Sequence, residues 1–184
     1  MPKENNIILG IDPGSNVMGF GVLDGNGKNP VYMDMGMLDL RKDGDHYKRI
    51  SAIFNHTVKL IENYLPSELA IEAPFYGKNI QSMLKLGRAQ GAAISAALTK
   101  DLPIYEYAPR KIKLAITGAG AASKEQVSNM LSRIFNITDM PASLDATDGL
   151  AVALCHFYSN NSVIKSSKSE GWKDFVRKNP DRIK

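Results

Sequence analysis

Three strand-like runs stand ahead of the first helical stretch, and from there strands and helices alternate, an order that a layered α/β domain accommodates. The first run, Ile7-Ile8-Leu9-Gly10-Ile11-Asp12, stops at Pro13-Gly14-Ser15, and residues 18–23 form a second before the turn Asp24-Gly25-Asn26-Gly27. Residues 31–40 supply a third, so the opening forty residues predict an antiparallel meander. Tyr47, Ile50, Ile53, Phe54, Val58 and Ile61 then recur at helical spacing, ahead of Pro66 and the strand Leu69-Ala70-Ile71-Glu72. Residues 80–98 predict a long helix rich in small side chains (Gly87, Ala89, Gly91, Ala92, Ala93, Ala96, Ala97), which would let another helix approach closely. Residues 103–107 make a fifth strand, and Pro109 suits the first turn of a short helix ending near Gly118-Ala119-Gly120. Ser123-Lys124-Glu125-Gln126 opens the next helix with a Ser-x-x-Gln capping box, and a last one runs from near Ser143 to about Tyr158. The sequence therefore predicts one domain with a mixed five-stranded sheet flanked by helices.

Composition narrows the function classes. With 184 residues, 43% of them hydrophobic, the chain can bury one core of its own. Its single cysteine, Cys155, excludes an internal disulfide framework and a cysteine-based zinc site, and favours a reducing, cytoplasmic setting. No apolar stretch reaches the roughly 18 residues of a membrane span. A net charge of +4 and a pI near 9.1 lean toward an anionic partner. The end of the chain is different in kind: residues 165–184 carry seven basic side chains against three acidic ones, with Trp172, Phe175 and Val176 as a short apolar stripe. The expected division is a domain over residues 1–160 and a basic, flexible tail over 161–184.

Four carboxylates break the apolar pattern. Asp12 ends the first strand and Glu72 the fourth, each where a hydrophobic run leaves the sheet. Asp145 and Asp148 are three residues apart on the last helix, which puts them on one face, roughly 5–6 Å apart at Cβ. Each has a mundane reading as a turn residue, an ion-pair partner or a helix-end charge. Taken together they form a set of hard oxygen ligands suited to Mg²⁺ or Mn²⁺, without the histidine or cysteine that zinc prefers. Such a cage suits two ions about 3.5–4 Å apart acting on a phosphodiester.

Six ordered segments resemble the RuvC family of Holliday junction resolvases, endonucleases with the RNase H-like superfold. They are Gly10-Ile11-Asp12-Pro13-Gly14-Ser15; Ile71-Glu72-Ala73-Pro74-Phe75 with Lys78-Asn79; Leu84-Lys85-Leu86-Gly87-Arg88-Ala89-Gln90-Gly91; Pro109-Arg110-Lys111-Ile112-Lys113; residues 118–127; and Asp145-Ala146-Thr147-Asp148-Gly149-Leu150-Ala151. The resemblance implies that Asp12, Glu72, Asp145 and Asp148 bind two Mg²⁺ ions, with Mn²⁺ able to substitute, at a catalytic centre that Lys113 and Lys124 complete near the scissile phosphate. It implies that Phe75 stacks on an unpaired base at the crossover and that Lys78, Asn79, Arg110 and Lys111 contact DNA. It also implies a branch-migration motor of the RuvA and RuvB type as partner.

The expected activity is therefore paired, symmetric nicking of four-way DNA junctions in recombination and repair. Two cuts from one set of carboxylates per chain call for a homodimer, assigned to the helix over residues 80–98, with Ala92 and Ala96 as its test positions. The alternatives are a junction-binding scaffold that does not cleave, disfavoured by the intact carboxylate set, and an actin-like phosphotransferase, for which one copy of the opening motif is too few. Thr147 and Gly149 depart from the alanines usual in the family, and a glycine inside a helix is expected to loosen it. His46, His56 and His156 match nothing catalytic, and His156 reads as structural.

Overall fold

The computed structural model of the chain describes residues 6–74 and 79–166. Ten elements follow in the expected order: β1 (Ile7–Asp12), β2 (Val17–Asp24), β3 (Val31–Asp39), α1 (His46–Tyr64), β4 (Glu68–Glu72), α2 (Ile80–Leu98), β5 (Ile104–Tyr107), α3 (Pro109–Thr117), α4 (Lys124–Phe135) and α5 (Asp145–Ser166). The strands form one mixed sheet in the order β3-β2-β1-β4-β5. β1 pairs antiparallel with β2, as β2 does with β3, while β1–β4 and β4–β5 are parallel. The antiparallel meander and the five-stranded sheet are as the sequence predicts.

Alternation along the strands builds two cores. On one face Leu9, Ile11, Val22, Leu69 and Ile71 pack with α1 and α2. On the other, Ile8, Leu23 and Ala70 pack with α5 and with Ile112, Val127 and Leu131 of α3 and α4. α5 is apolar nearly all round through Leu150–Cys155 and lies buried across the sheet. It also runs eight residues past Tyr158, where its apolar pattern ends and where the sequence placed its close. Helical hydrogen bonding needs no apolar face to continue, so periodicity underestimates such an end. Of the tail, residues 167–184 lie outside the described residues.

The seat of α5 on the sheet overturns the reading of Gly149 as a loosening defect. A Cβ there would fall 2.4 Å from Cα of Phe20 on β2. Gly19 faces the same lane: its Cβ would lie 2.3 Å from the Asp145 carbonyl oxygen. Backbone meets backbone here, and no side chain larger than hydrogen fits between. The neighbouring Thr147 is fully buried, and its hydroxyl donates to the Leu144 carbonyl at 2.7 Å, closing the first turn of the helix. Gly149→Ala is therefore expected to destabilise the fold by about 1–3 kcal/mol or more, the cost of overpacking a rigid contact, despite alanine's better helix propensity. Urea denaturation of the two proteins measures this; an alanine variant as stable as the parent would contradict the tight seat.

Candidate active site

Strand register brings the first two carboxylates together. β1 and β4 run parallel with Gly10 opposite Ala70 and Ile11 opposite Ile71, so the next residues, Asp12 and Glu72, leave the sheet side by side. By the two-residue period both share the face of Gly10 and Ala70, the α5 face. The antiparallel partner of Asp12 is Gly19, the residue over which the Asp145 carbonyl sits. The close seat of α5 thus delivers its first turn, with Asp145 and Asp148, to the strand end that carries Asp12.

Two other helices supply the opposite charge. α3 starts at Pro109 and ends in the left-handed Gly118, a nine-residue helix with Arg110 and Lys113 three apart on one face. The small residues that follow leave room for Arg110: a Cβ on Gly120 would lie 2.7 Å from its Cγ. Ser123 then caps α4 in a full capping box with Gln126, which fixes Lys124 as the first helical residue. Asp12, Glu72 and Asp148 share a cavity of about 470 Å³ with Arg110, Lys113 and Lys124. The Lys124 ammonium donates to Asp145 Oδ1 at 2.9 Å and to Asp148 Oδ2 at 2.5 Å.

Burial and crowding set the ionisation of this group. Burial, reinforced by the charge of Asp148, pushes the Asp12 carboxyl up to about 7, and burial with the neighbouring Asp12 charge takes Glu72 to about 8. Asp148 is also raised by burial, against the opposing hydrogen bond from Lys124. Burial disfavours the Lys124 ammonium, yet its bonds to Asp148 and Asp145 outweigh that and hold it above the ordinary lysine value. Among the described residues no group of three or more His, Cys, Asp or Glu side chains is gathered into a geometry that holds a metal ion as it stands. The donor set nevertheless fits a hard divalent cation: oxygen ligands only, desolvated, and charged at a cost that a cation would relieve.

Several supports were not legible in the sequence. The buried Gln90 of α2 donates to Glu106 Oε2 at 3.1 Å and to the Glu72 carbonyl at 3.4 Å, tying α2 and β5 to the strand end that carries Glu72. Arg49 of α1 donates to Asn16 Oδ1 at 2.6 Å and to the Ser15 carbonyl at 3.2 Å, holding the turn that follows Asp12. Among the expected DNA contacts, Arg110 lines the cavity, whereas Lys111 lies outside that lining with its ammonium 4.6 Å from the centre of the Tyr107 ring. The Asn79 side chain caps α2, accepting from Ser82 N–H at 3.1 Å. Phe75 and Lys78 lie outside the described residues. His156 is fully buried, its ring nitrogens 2.6 Å from the Tyr107 hydroxyl and 2.6 Å from Glu68 Oε2, a structural placement.

A family model described as crossover junction endodeoxyribonuclease RuvC matches residues 8–156. Proteins of that name from Bacteroides fragilis and Christiangramia forsetii are 57% and 53% identical, over 100% and 99% of this chain and 98% and 95% of theirs. Among solved structures, Thermus thermophilus RuvC in complex with a Holliday junction substrate superposes with a TM-score of 0.77 at 28% identity, covering 85% of this chain and 96% of that one. The yeast mitochondrial Holliday junction resolvase Ydc2 shares the fold, with a TM-score of 0.64 at 12% identity over 88% of this chain and 83% of its own.

The raised carboxyls make stability depend on pH in a defined direction. Asp12 and Glu72 hold protons in the folded protein up to about 7 and 8, but release them near 3.8 and 4.5 when unfolded. The stability they contribute is fully present below pH 4 and is lost as pH rises through 7 and 8. In a chelating buffer the urea midpoint is expected to fall across this window, and Asp12→Asn should flatten the fall. A midpoint that rises with pH in the parent and is indifferent to the substitution would contradict these ionisations.

Proposed function

The chain belongs to the RuvC family of crossover junction endodeoxyribonucleases, and from that membership we propose that Asp12, Glu72, Asp145 and Asp148 are the metal ligands with which it hydrolyses phosphodiesters at four-way junctions. The enzyme is a structure-selective endonuclease that resolves Holliday junctions in recombination and repair. The observation that carries the site assignment is the meeting of two strand ends and one helix start, each bearing carboxylates, across from Lys113, Lys124 and Arg110. A pair of divalent ions there, Mg²⁺ or Mn²⁺, would supply an activated water and charge stabilisation at the leaving oxygen.

The rest of the chemistry belongs to the chain. Lys113 and Lys124 face the position of the scissile phosphate and offset charge that develops on its oxygens. Arg110, for which Gly120 leaves space, binds the strand's backbone and sets its register. Phe75 stacks on an unpaired base at the crossover, with Lys78, Asn79 and Lys111 as further backbone contacts. Residues 1–160 make up the nuclease domain, and the basic segment 161–184 adds salt-sensitive DNA affinity. The setting is the cytoplasm, with a branch-migration motor of the RuvA and RuvB type delivering the junction; no described helix is long and apolar enough to cross a membrane.

Paired cuts call for two such sites, and α2 offers the surface for a homodimer. The sequence placed the contact on Ala92 and Ala96, but both are buried on the inner face of the helix. Its outer face carries Ile80, Leu84, Gly87, Gly91 and Leu98, a helical stripe in which the three large side chains are exposed and a Cβ on either glycine would meet nothing within 4 Å. A two-fold pair would bury it against itself.

One set of variants tests these assignments on a synthetic four-way junction in Mg²⁺. Asp148→Asn is expected to lose at least about a hundredfold in single-turnover cleavage, as removal of a key charge at such a centre does, while still binding the junction. Leu84→Glu should leave a folded monomer by light scattering that no longer makes paired nicks. Cleavage by Asp148→Asn at the parent rate would refute the ligand set, and a Leu84→Glu dimer would move the interface elsewhere.

A further inference from the structure

Lys124 occupies an unfavourable place for a lysine. As the first residue of α4 it puts a positive charge at the positive end of the helix dipole, where acidic side chains are the stabilising ones. What compensates is across the cleft: a single ammonium lies within hydrogen-bond reach of one oxygen from each of Asp145 and Asp148. It touches the same carboxylates, from the same cleft, as a hard cation bound there would, and both kinds of cation seek anionic oxygen. Two of the three side chains are open to solvent, while Asp148 is only 14% exposed. Lys124 is 49% exposed and Asp145 43%, and lysine's four-carbon stem lets its ammonium swing without moving the backbone.

We propose that Lys124 is a built-in competitor for the metal site, its ammonium and a divalent cation being alternative partners of the Asp145–Asp148 pair. The inference rests on the reading of those two residues as metal ligands. Binding of a divalent ion then requires the ammonium to leave the two carboxylates, and the cavity that Lys124 already lines with Glu72, Arg110 and Lys113 gives it room to do so. There it meets the phosphate. An incoming DNA phosphate gives Lys124 another anionic partner, so junction and metal bind cooperatively, and by linkage each raises the affinity for the other. The competitor keeps metal loading weak until substrate arrives.

The test needs no catalysis. Mn²⁺ binding to the full chain without DNA is followed by electron paramagnetic resonance of the free ion, for the parent, Lys124→Met and Asp148→Asn. Lys124→Met is expected to bind Mn²⁺ about fivefold or more tightly, the scale set by one lost partly exposed ion pair, and Asp148→Asn more weakly. Unchanged or weaker binding by Lys124→Met, with Asp148→Asn still impaired, would overturn the competition and leave the ligand set standing. Unimpaired binding by Asp148→Asn would overturn the ligand set and the competition with it. A second measurement uses the unaltered protein: Mg²⁺ should raise the rate at which an amine-acylating reagent modifies Lys124, read by mass spectrometry. Lys100, paired with Glu62 at 3.2 Å, is the internal reference. Equal rates for Lys124 with and without Mg²⁺ would refute the displacement.

Discussion

The structure depends on how closely the backbone of α5 approaches the backbones of β1 and β2. Most helices rest on a sheet through side chains, at a spacing that tolerates small adjustments. Here Gly19 and Gly149 remove those side chains, and the Asp145 carbonyl and Phe20 backbone come into direct contact range of the missing Cβ positions. Glycine is otherwise a poor choice for a strand or a helix interior, by about 0.5–1 kcal/mol at each site. Its presence on both sides of one contact shows that the approach, and not local propensity, governs these positions. Because Gly19 is also the strand partner of Asp12, the contact that seats the helix is the one that sets the distance between two pairs of carboxylates.

Bringing those carboxylates together works against folding. Burial and mutual repulsion hold Asp12 and Glu72 well above their ordinary values, so the charge cluster by itself is least comfortable in the neutral and alkaline range where a nuclease acts. The surrounding structure resists the strain with links to backbone: Gln90 to the end of β4, Arg49 to the turn after β1, and the capping box that fixes the start of α4. Lys124 offsets part of the charge directly. A site built this way has an intrinsic demand for cations, which is the property that a phosphodiester hydrolase uses.

Much of this is legible in the amino-acid sequence alone. Strand-end placement singled out Asp12 and Glu72, and the three-residue spacing put Asp145 and Asp148 on one face, because both rules depend only on local periodicity. The element order gave the mixed sheet for the same reason. What was misread depends on distances between elements. Gly149 looked like a weak point because propensity scales know nothing of Phe20, and Ala92 and Ala96 looked available because a stripe of small residues does not say which side meets the sheet. The outer stripe of Ile80, Leu84 and Leu98 could have been separated from them by following the 3.6-residue period around the whole helix. Gln90 and Arg49 carried no local signal, since their partners lie on other elements.

The central claim is that the sheet and α5 contribute jointly to one metal centre. Anomalous scattering from crystals of the full chain soaked in Mn²⁺ tests it most directly. Manganese is expected between the two sets, with at least one ion bound by a carboxylate from the pair Asp12 and Glu72 and by another from the pair Asp145 and Asp148. Manganese bound only by one of these pairs, or only at carboxylates elsewhere on the surface, would contradict it.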